Sequence, residues 1–222
     1  MYIQENLNQI KSTLPNHVTL VAVSKTKPIN DLMEAYNAGQ RIFGENKIQE
    51  MVDKFEAMPK DIEWHMIGHV QSNKVKYMAS FVSLIHGVDN FKLLEEINKQ
   101  AKKHNRVINC LLQIKIASED SKFGMTPEEA SKIIQSEAMA GLKNIKIVGV
   151  MGMATFTENE NQIKEEFTLL KSVFDSLKSS ETFNFKPETI SMGMSGDYQL
   201  AINCGSNMIR VGSSIFGERN YN

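Results

Sequence analysis

The sequence is poor in the residues that mark secreted or metal-binding domains. Its 222 residues include two cysteines, five prolines and one tryptophan, and Cys110 and Cys204 do not form a Cys-x-x-Cys pair. We therefore expect two packing thiols, without a disulfide or a metal site. The chain does not open with a basic segment followed by an apolar one, and no uninterrupted apolar run is long enough to span a bilayer. These absences favour a cytoplasmic protein without a membrane segment.

An excess of charge of either sign is also missing. The formal net charge is -1, from 25 basic and 26 acidic residues. This balance gives no electrostatic footprint for nucleic acid or an anionic membrane, so any anion must be bound locally. Apolar residues, in contrast, make up 41% of the chain. At this length the sequence predicts one α/β domain over residues 1–222 with a sizeable core, and we expect a monomer.

Short apolar strands alternate with amphipathic helices after a leading helix over residues 1–12. The predicted strands are 18–24, 41–44, 63–67, 81–86, 107–116, 145–151, 189–192 and 208–211. Helices are predicted at 29–38, 45–55, 71–79, 91–104, 127–137, 159–178, 196–203 and from 213, and Thr126 with Glu129 forms a capping box before the one at 127. This alternation predicts a parallel sheet, and eight such units predict a closed (β/α)8 or TIM barrel. A doubly wound open sheet is the alternative, because strand counts from one sequence are uncertain by about one or two.

The segment from Val21 to Pro28 carries a lysine directly after the first predicted strand. Side chains at the carboxyl end of a strand project into the ligand crevice of an α/β fold, which would place Lys25 there. A solvated rim charge is one interpretation, because lysine is mostly exposed. The other is an amine that forms an imine with an aldehyde, since the pKa of a lysine falls when the amine is desolvated or lies near another cation. Lys27 can be that cation, because residues two apart share a face of an extended segment.

Glycine and serine dominate the segments after the last two predicted strands, at 191–196 and 210–214. In a TIM barrel the loops after strands seven and eight form a recurrent phosphate site, together with the amino terminus of a short helix. Glycines let the backbone approach closely, and serine hydroxyls form hydrogen bonds or cap helices. We expect the Ser195 hydroxyl and the amides at the start of the Ser213 helix to hold a phosphate. Taken alone, either loop can also be an ordinary helix entry.

Other polar residues follow the predicted strands or lie within them. The position of Arg210 in the last strand predicts an inward side chain. An inward guanidinium keeps its proton and must bind a ligand or form a buried salt bridge, for instance with Glu45. Asn46 could hydrogen-bond a ring oxygen of a ligand or cap a helix. His65 and His69 lack metal-ligand spacing, and we expect packing or hydrogen-bonding roles for both.

Five motifs together resemble one protein family. They are Val-Ser-Lys-Thr-Lys-Pro at 23–28, Phe-Gly-Glu-Asn at 43–46, Trp-His-Met-Ile-Gly-His-Val-Gln-Ser-Asn-Lys at 64–74, Ser-Met-Gly-Met-Ser at 191–195 and Arg-Val-Gly-Ser-Ser-Ile-Phe-Gly at 210–217. Their order and spacing resemble the pyridoxal phosphate homeostasis proteins of the PROSC or YggS type, which are related to the amino-terminal barrel of alanine racemase. The resemblance covers nearly the whole chain. Ser213 stands where many relatives have threonine, and Val70 replaces a common leucine.

The resemblance implies a fold-type III barrel that holds pyridoxal 5′-phosphate (PLP), a form of vitamin B6, as an internal aldimine. Carried over residue by residue, it implies that Lys25 forms this Schiff base and that Arg210 faces the pyridine nitrogen. The other cofactor-binding residues that it implies are Asn46, Ser195, Gly212 and Ser213, the last three for the phosphate. It implies no catalytic residue.

A cationic partner for the PLP ring argues against strong catalysis. PLP draws electrons best into a protonated ring nitrogen, and Arg210 beside that nitrogen would disfavour the proton. Alanine racemase has such an arginine, but by resemblance it also uses a tyrosine from a second domain that we do not expect here. We therefore expect a protein that stores or buffers PLP or delivers it to PLP-dependent apo-enzymes.

Two enzymes remain as alternatives. One is a PLP-dependent amino-acid racemase of the alanine racemase type, and the other is a cofactor-free class I aldolase that uses Lys25 on a phosphorylated sugar. Lys122, in the segment after the fifth predicted strand, is either a second basic group near the barrel mouth or a solvated loop lysine.

Overall fold

The computed structural model of the protein describes residues 2–118 and 123–218. A leading helix, α1 (Tyr2–Thr13), precedes eight strands that are joined by helices. The strands are β1 (Thr19–Val23), β2 (Ile42–Glu45), β3 (Glu63–Met66), β4 (Leu84–Val88), β5 (Ile108–Gln113), β6 (Ile145–Met151), β7 (Phe185–Ser191) and β8 (Met208–Val211). Each strand pairs in parallel with the next, and β8 pairs with β1 to close the barrel. The predicted TIM barrel is confirmed, and the open sheet is wrong.

Helices follow the strands on the outside of the barrel, and the last of them comes after β8. They are α2 (Ile29–Asn37), α3 (Ile48–Ala57), α4 (Val75–Met78), α5 (Phe91–Lys103), α6 (Pro127–Gln135), α7 (Glu137–Ala140), α8 (Glu160–Leu177), α9 (Tyr198–Asn203) and α10 (Ser213–Phe216). Thr126 and Glu129 form the predicted capping box of α6, since each side chain accepts a hydrogen bond from the other residue's amide. Of the helices in the described part of the chain, none is both long and apolar enough to cross a membrane.

Several element boundaries differ from the sequence predictions. β2 extends through Glu45, which the sequence placed at the start of a helix, and this carboxylate is fully buried. Phe81 and Val82 do not begin β4, because their amides bond to the carbonyl of Met78 and close a turn. Both side chains still pack in the core, and a short apolar run by itself does not distinguish a strand from a packed turn.

The barrel wall separates two apolar layers. The larger lies between strands and helices, and Phe43 and Trp64 belong to it. The smaller fills the inside of the barrel, where Val21, Leu84, Leu111, Met151 and Met208 pack together. Since side chains alternate across a strand, residues two positions along from this inner set also point inward. Several of those positions are polar, and they lie towards the carboxyl ends of the strands.

Candidate cofactor site

A cavity of about 660 Å³ opens at the carboxyl ends of the strands. The six residues that the sequence predicts for cofactor binding all line it: Lys25, Asn46, Ser195, Arg210, Gly212 and Ser213. They come from the two ends of the chain and meet because β8 pairs with β1. Their individual roles towards a cofactor stay predictions.

Lys25 lies in a tight turn just after β1. The Lys27 amide donates to the Ser24 carbonyl at 3.1 Å, and Thr26 has a φ of 64°, in the left-handed region. The segment is therefore not extended, and the alternation argument that placed Lys25 and Lys27 on one face is wrong. Both lysines nevertheless line the cavity, because the turn brings them there.

The ammonium group of Lys27 bonds to the end of α10. Its Nζ donates to the carbonyl of Phe216 at 3.0 Å and to that of Glu218 at 2.8 Å. The last carbonyls of a helix have no partner within the helix, so a cation there is favourable. Lys27 thus connects the turn that carries Lys25 to the short helix that begins at Ser213.

Hydroxyl and amide groups gather where β8 passes into α10. The Ser195 hydroxyl oxygen accepts hydrogen bonds from the amide of Gly212 at 3.2 Å and from that of Ser214 at 3.5 Å. A Cβ at Gly212 would lie 3.1 Å from the carbonyl oxygen of Val23, so the end of β8 lies close against β1. Hydroxyls and backbone amides at the start of a helix are the donors that commonly bind phosphate.

Arg210 forms part of the cavity floor and is 4% exposed. Its Nη1 donates to the Ser191 hydroxyl at 2.6 Å, and its Nη2 donates to the Gly152 carbonyl at 3.1 Å. The alternative of a salt bridge to Glu45 is wrong, because Glu45 pairs with Lys54 outside the barrel wall. Burial lowers the pKa of Arg210 to about 10, so the guanidinium remains charged at neutral pH.

A chain of buried hydrogen bonds continues from Arg210 through the barrel. Ser191 Oγ lies 3.0 Å from His86 Nδ1, and His86 Nε2 lies 3.0 Å from His65 Nδ1. A guanidinium only donates, so the Ser191 hydroxyl is left to donate to His86 Nδ1. We assign the His86 proton to Nε2, which then donates to His65. The hydrogen-bonding role expected for His65 is confirmed.

Aromatic residues form the outer rim of the cavity. His69 stacks on Phe123 with ring centroids 4.3 Å apart, and its Nδ1 lies 3.5 Å from Asp89. Gln113 Nε2 donates to the Phe123 carbonyl at 3.1 Å, and Phe156 is 93% exposed. All but Asp89 line the cavity. None of the five family motifs contains Gln113, Phe123 or Phe156, and the sequence predicted no cofactor-binding role for these three residues.

The loops after β5 and β6 are held together by one buried carboxylate. Glu166 on α8 accepts from the amide and hydroxyl of Thr155 at 2.6 and 2.7 Å, and from the Ser118 amide at 3.2 Å. Burial alone would raise the pKa of Glu166, but these hydrogen bonds hold it below its usual value. Lys122, which the sequence suggested as a second basic group, lies outside the described residues.

Across residues 2–118 and 123–218, no group of three or more histidine, cysteine, aspartate or glutamate side chains is placed to hold a metal ion. Cys110 is a buried free thiol, and Cys204 is a partly exposed one.

Comparison with known proteins now defines the class of this barrel. The family model described as "Alanine racemase, N-terminal domain" matches residues 2–220. Pyridoxal phosphate homeostasis proteins of Aquifex aeolicus and Haemophilus influenzae are each 38% identical to this chain. The alignment with the Aquifex protein covers 93% of this chain and 89% of that relative. The alignment with the Haemophilus protein covers 100% of this chain and 98% of that relative. The chain belongs to the pyridoxal phosphate homeostasis protein family.

Solved structures of similar proteins share the fold. PipY of Synechococcus elongatus PCC7942, solved without PLP, is 33% identical, with a TM-score of 0.91 over 97% of this chain and 100% of PipY. The same protein with PLP bound has a TM-score of 0.88 at 32% identity and the same coverage. An alanine racemase of Clostridium difficile 630 is 16% identical, with a TM-score of 0.80 over 100% of this chain and 57% of the racemase. The racemase comparison shows the common barrel alone.

Proposed function

We propose that this protein binds PLP covalently through Lys25 and acts in intracellular PLP homeostasis by storing, buffering or delivering the cofactor. One observation carries the proposal: an amine, a buried guanidinium and a set of hydroxyl and amide donors meet in one cavity. Their chemistry matches the three reactive parts of PLP, which are its aldehyde, its ring nitrogen and its phosphate. The PLP-bound structure of PipY, with the same fold, supports the proposal.

The donor set at the start of α10 fits a phosphate group. Ser195 already bonds to the amides of Gly212 and Ser214, so the same donors can turn to phosphate oxygens without a change of fold. Ser213 adds a hydroxyl at the first position of the helix. We assign the phosphate to Ser195, Gly212 and Ser213, and Asn46 to the lining of the cofactor.

Arg210 is the reason to propose a carrier without strong turnover. PLP supplies a reactive aldehyde and a pyridine ring that withdraws electrons best when its nitrogen is protonated. A guanidinium facing that nitrogen disfavours the proton, because two adjacent cations repel. Arg210 would therefore hold and orient the ring while weakening its electron demand. We propose the cytoplasm as the compartment, a monomer as the working form and PLP-dependent apo-enzymes as recipients.

The test combines visible absorbance with chemical trapping. The protein loaded with PLP is expected to be yellow, and borohydride reduction followed by peptide mass mapping is expected to locate one pyridoxyl phosphate group on Lys25. Lys25→Ala should lose the label and keep the fold, because a half-exposed residue in a surface turn adds little to the core. Lys27→Arg is the matched control, and it should keep the label on Lys25.

Other results would contradict the proposal. A protein that stays colourless with PLP would favour the cofactor-free aldolase, and a label on Lys27 would show that the wrong lysine was chosen. Inversion of single-enantiomer alanine by the PLP-loaded protein at ordinary enzymatic rates, about 1–1000 per second, would favour the racemase.

A further inference from the structure

A cluster of three charged residues, two buried and one partly exposed, lies behind the turn that carries Lys25. Glu45 at the end of β2 and Glu50 on α3 each place Oε1 at 2.8 Å from the Nζ of Lys54. Lys54 is 5% exposed and Glu45 is fully buried. None of the three lines the cavity. We call Glu45, Glu50 and Lys54 the outer charge cluster.

The outer charge cluster bonds to the residues on both sides of Lys25. Before it, the Ser24 hydroxyl donates to Glu45 Oε1 at 2.5 Å, and the Ser24 carbonyl accepts from Lys54 Nζ at 2.8 Å. After it, the Thr26 amide donates to Glu50 Oε1 at 2.6 Å. Lys54 is the common member, because it bonds to both carboxylates and to the Ser24 carbonyl.

These contacts hold a backbone conformation that the sequence alone disfavours. Thr26 has a φ of 64°, and a β-branched side chain rarely occupies that region. Such strained residues persist where the surrounding structure over-determines them, and they gather at functional sites. The bond from Thr26 to Glu50 and the two bonds from Ser24 provide that support here. The turn that brings Lys25 to the cavity therefore depends on the outer charge cluster.

We propose that Lys54 is a positioning residue for the covalent bond that Lys25 makes. Lys54 holds Glu45, Glu50 and the Ser24 carbonyl together, so that the Lys25 amine faces the cavity before PLP arrives. A reacting group that is held in place reacts faster than one that must first be ordered, and small misplacements are costly. The inference rests on the proposed function of Lys25 and adds the residues that prepare that lysine.

Removing Lys54 alone would also leave a buried carboxylate without its counter-ion. Within the described residues, Glu45 Oε2 already has no hydrogen-bond partner. The double variant Glu45→Gln/Lys54→Met avoids this problem, because glutamine is neutral and its Oε1 can still accept from Ser24. It removes the bonds from Lys54 to the Ser24 carbonyl and to Glu50, which are the contacts that the proposal concerns.

Gln40→Met is the matched control. Gln40 is 3% exposed, and its Nε2 donates to the carbonyls of Leu20 at 2.9 Å and Ile42 at 2.7 Å. It therefore ties the same two strands, β1 and β2, towards their opposite ends and far from the cavity opening. Gln40→Met is therefore expected to lower the stability of the protein without changing the reaction of Lys25 with PLP.

The experiment follows the rate at which PLP becomes attached to Lys25 in the full-length, cofactor-free protein. Samples are quenched with borohydride over time and mapped by peptide mass, and each variant is studied well below its own unfolding midpoint. The double variant is expected to react roughly tenfold more slowly or worse. Gln40→Met should react with PLP at the wild-type rate. Lys54→Arg keeps a cation at this position and should react at most of the wild-type rate. Acetylation of Lys25 in the same cofactor-free proteins gives a second readout and should change in the double variant alone.

The outcomes separate this inference from the proposed function. Wild-type protein that attaches no PLP to Lys25 would overturn the proposed function, and the positioning role with it. If the wild type reacts and the double variant reacts equally fast, the positioning role alone is wrong. An equal slowing in Gln40→Met and the double variant would also overturn it, because the effect would then follow general stability.

Discussion

Two buried polar clusters lie on opposite sides of the barrel wall, and they are built in different ways. The inner one runs from Arg210 through Ser191 to the two histidines and contains a single charged group. The outer charge cluster pairs Lys54 with two carboxylates. The inner cluster ends on a residue that lines the cavity, whereas the outer one contacts the residues beside Lys25.

Within the inner cluster, the cation is hydrogen-bonded to neutral partners. Burial lowers the pKa of His65 to about 3, and burial together with electrostatic repulsion from His65 and Arg210 lowers the pKa of His86 well below its usual value. Both rings are therefore neutral at neutral pH. Arg210 donates hydrogen bonds to the neutral oxygens of Ser191 and Gly152, and the charge of the Asp197 carboxylate partly opposes the lowering of its pKa by burial.

The outer charge cluster pairs its one cation with two carboxylates. Burial raises the pKa of Glu45, and the Lys54 ammonium and the Ser24 hydroxyl oppose that rise. A charge that is paired within the protein attracts a ligand only weakly, but it can hold the backbone in place. The two cations therefore serve the site differently: Arg210 lines the cavity, and Lys54 bonds to the backbone beside Lys25.

Removal of Lys54 is expected to have the largest effect on stability. Lys54→Met should lower the free energy of unfolding by about 3–5 kcal/mol, because it leaves Glu45 buried without its counter-ion. Urea denaturation measures the loss, and Glu45→Gln/Lys54→Met should recover most of it. The exposed pair of Lys171 and Asp175 is the control, and Lys171→Met should cost less than about 1 kcal/mol. Equal costs at the two lysines would show that the outer charge cluster is not a buried ion cluster.

Acid should destabilise the protein through the inner cluster. His65 and His86 bind protons more weakly in the folded protein than in the unfolded chain. In the unfolded chain a histidine has its ordinary pKa of 6.5. Their contribution to stability is therefore fully present above pH 6.5 and is lost as the pH falls towards 3. Each histidine should lower the unfolding free energy by up to about 1.4 kcal/mol per pH unit in that range.

The measurement for this prediction is urea denaturation at several pH values between 4 and 7.5. His86→Gln should show a shallower dependence on pH than the wild type, because one buried histidine is gone. The raised pKa of Glu45 acts in the opposite direction, since the folded state then binds a proton more readily. If the free energy of unfolding of His86→Gln depends on pH as it does in the wild type, the inner cluster does not cause the loss of stability in acid.

The smallest effect is expected for the hydroxyl that joins Arg210 to His86. Ser191→Ala leaves buried polar atoms of both residues without this partner and should cost about 1–3 kcal/mol of stability. It should also weaken PLP binding, measured by absorbance titration, because Arg210 is no longer held. Ser206→Ala is the control, since Ser206 is also buried between β7 and β8 but bonds only to backbone carbonyls. Equal PLP affinities in the two variants would contradict the role given to Ser191.

Much of the barrel could be predicted from the sequence, because its signals are local. The bounds of β6, β8 and α10 agree with the predictions, and so does the capping box of Thr126 and Glu129. Such features depend on residues a few positions apart along the chain. The positions of Lys25, Ser195 and Arg210 after or within strands were likewise enough to predict that they would meet.

Only the tertiary structure decided which side chains pair. The sequence offered Glu45 as a partner for Arg210 and Lys27 as a neighbouring cation for Lys25. In the fold, Glu45 faces α3 and pairs with Lys54, while Lys27 bonds to the end of α10. These partners lie on different elements, and their contact depends on strand register, barrel closure and the docking of helices. A sequence pattern records the face of a residue, but the element packed against that face is set by the whole fold.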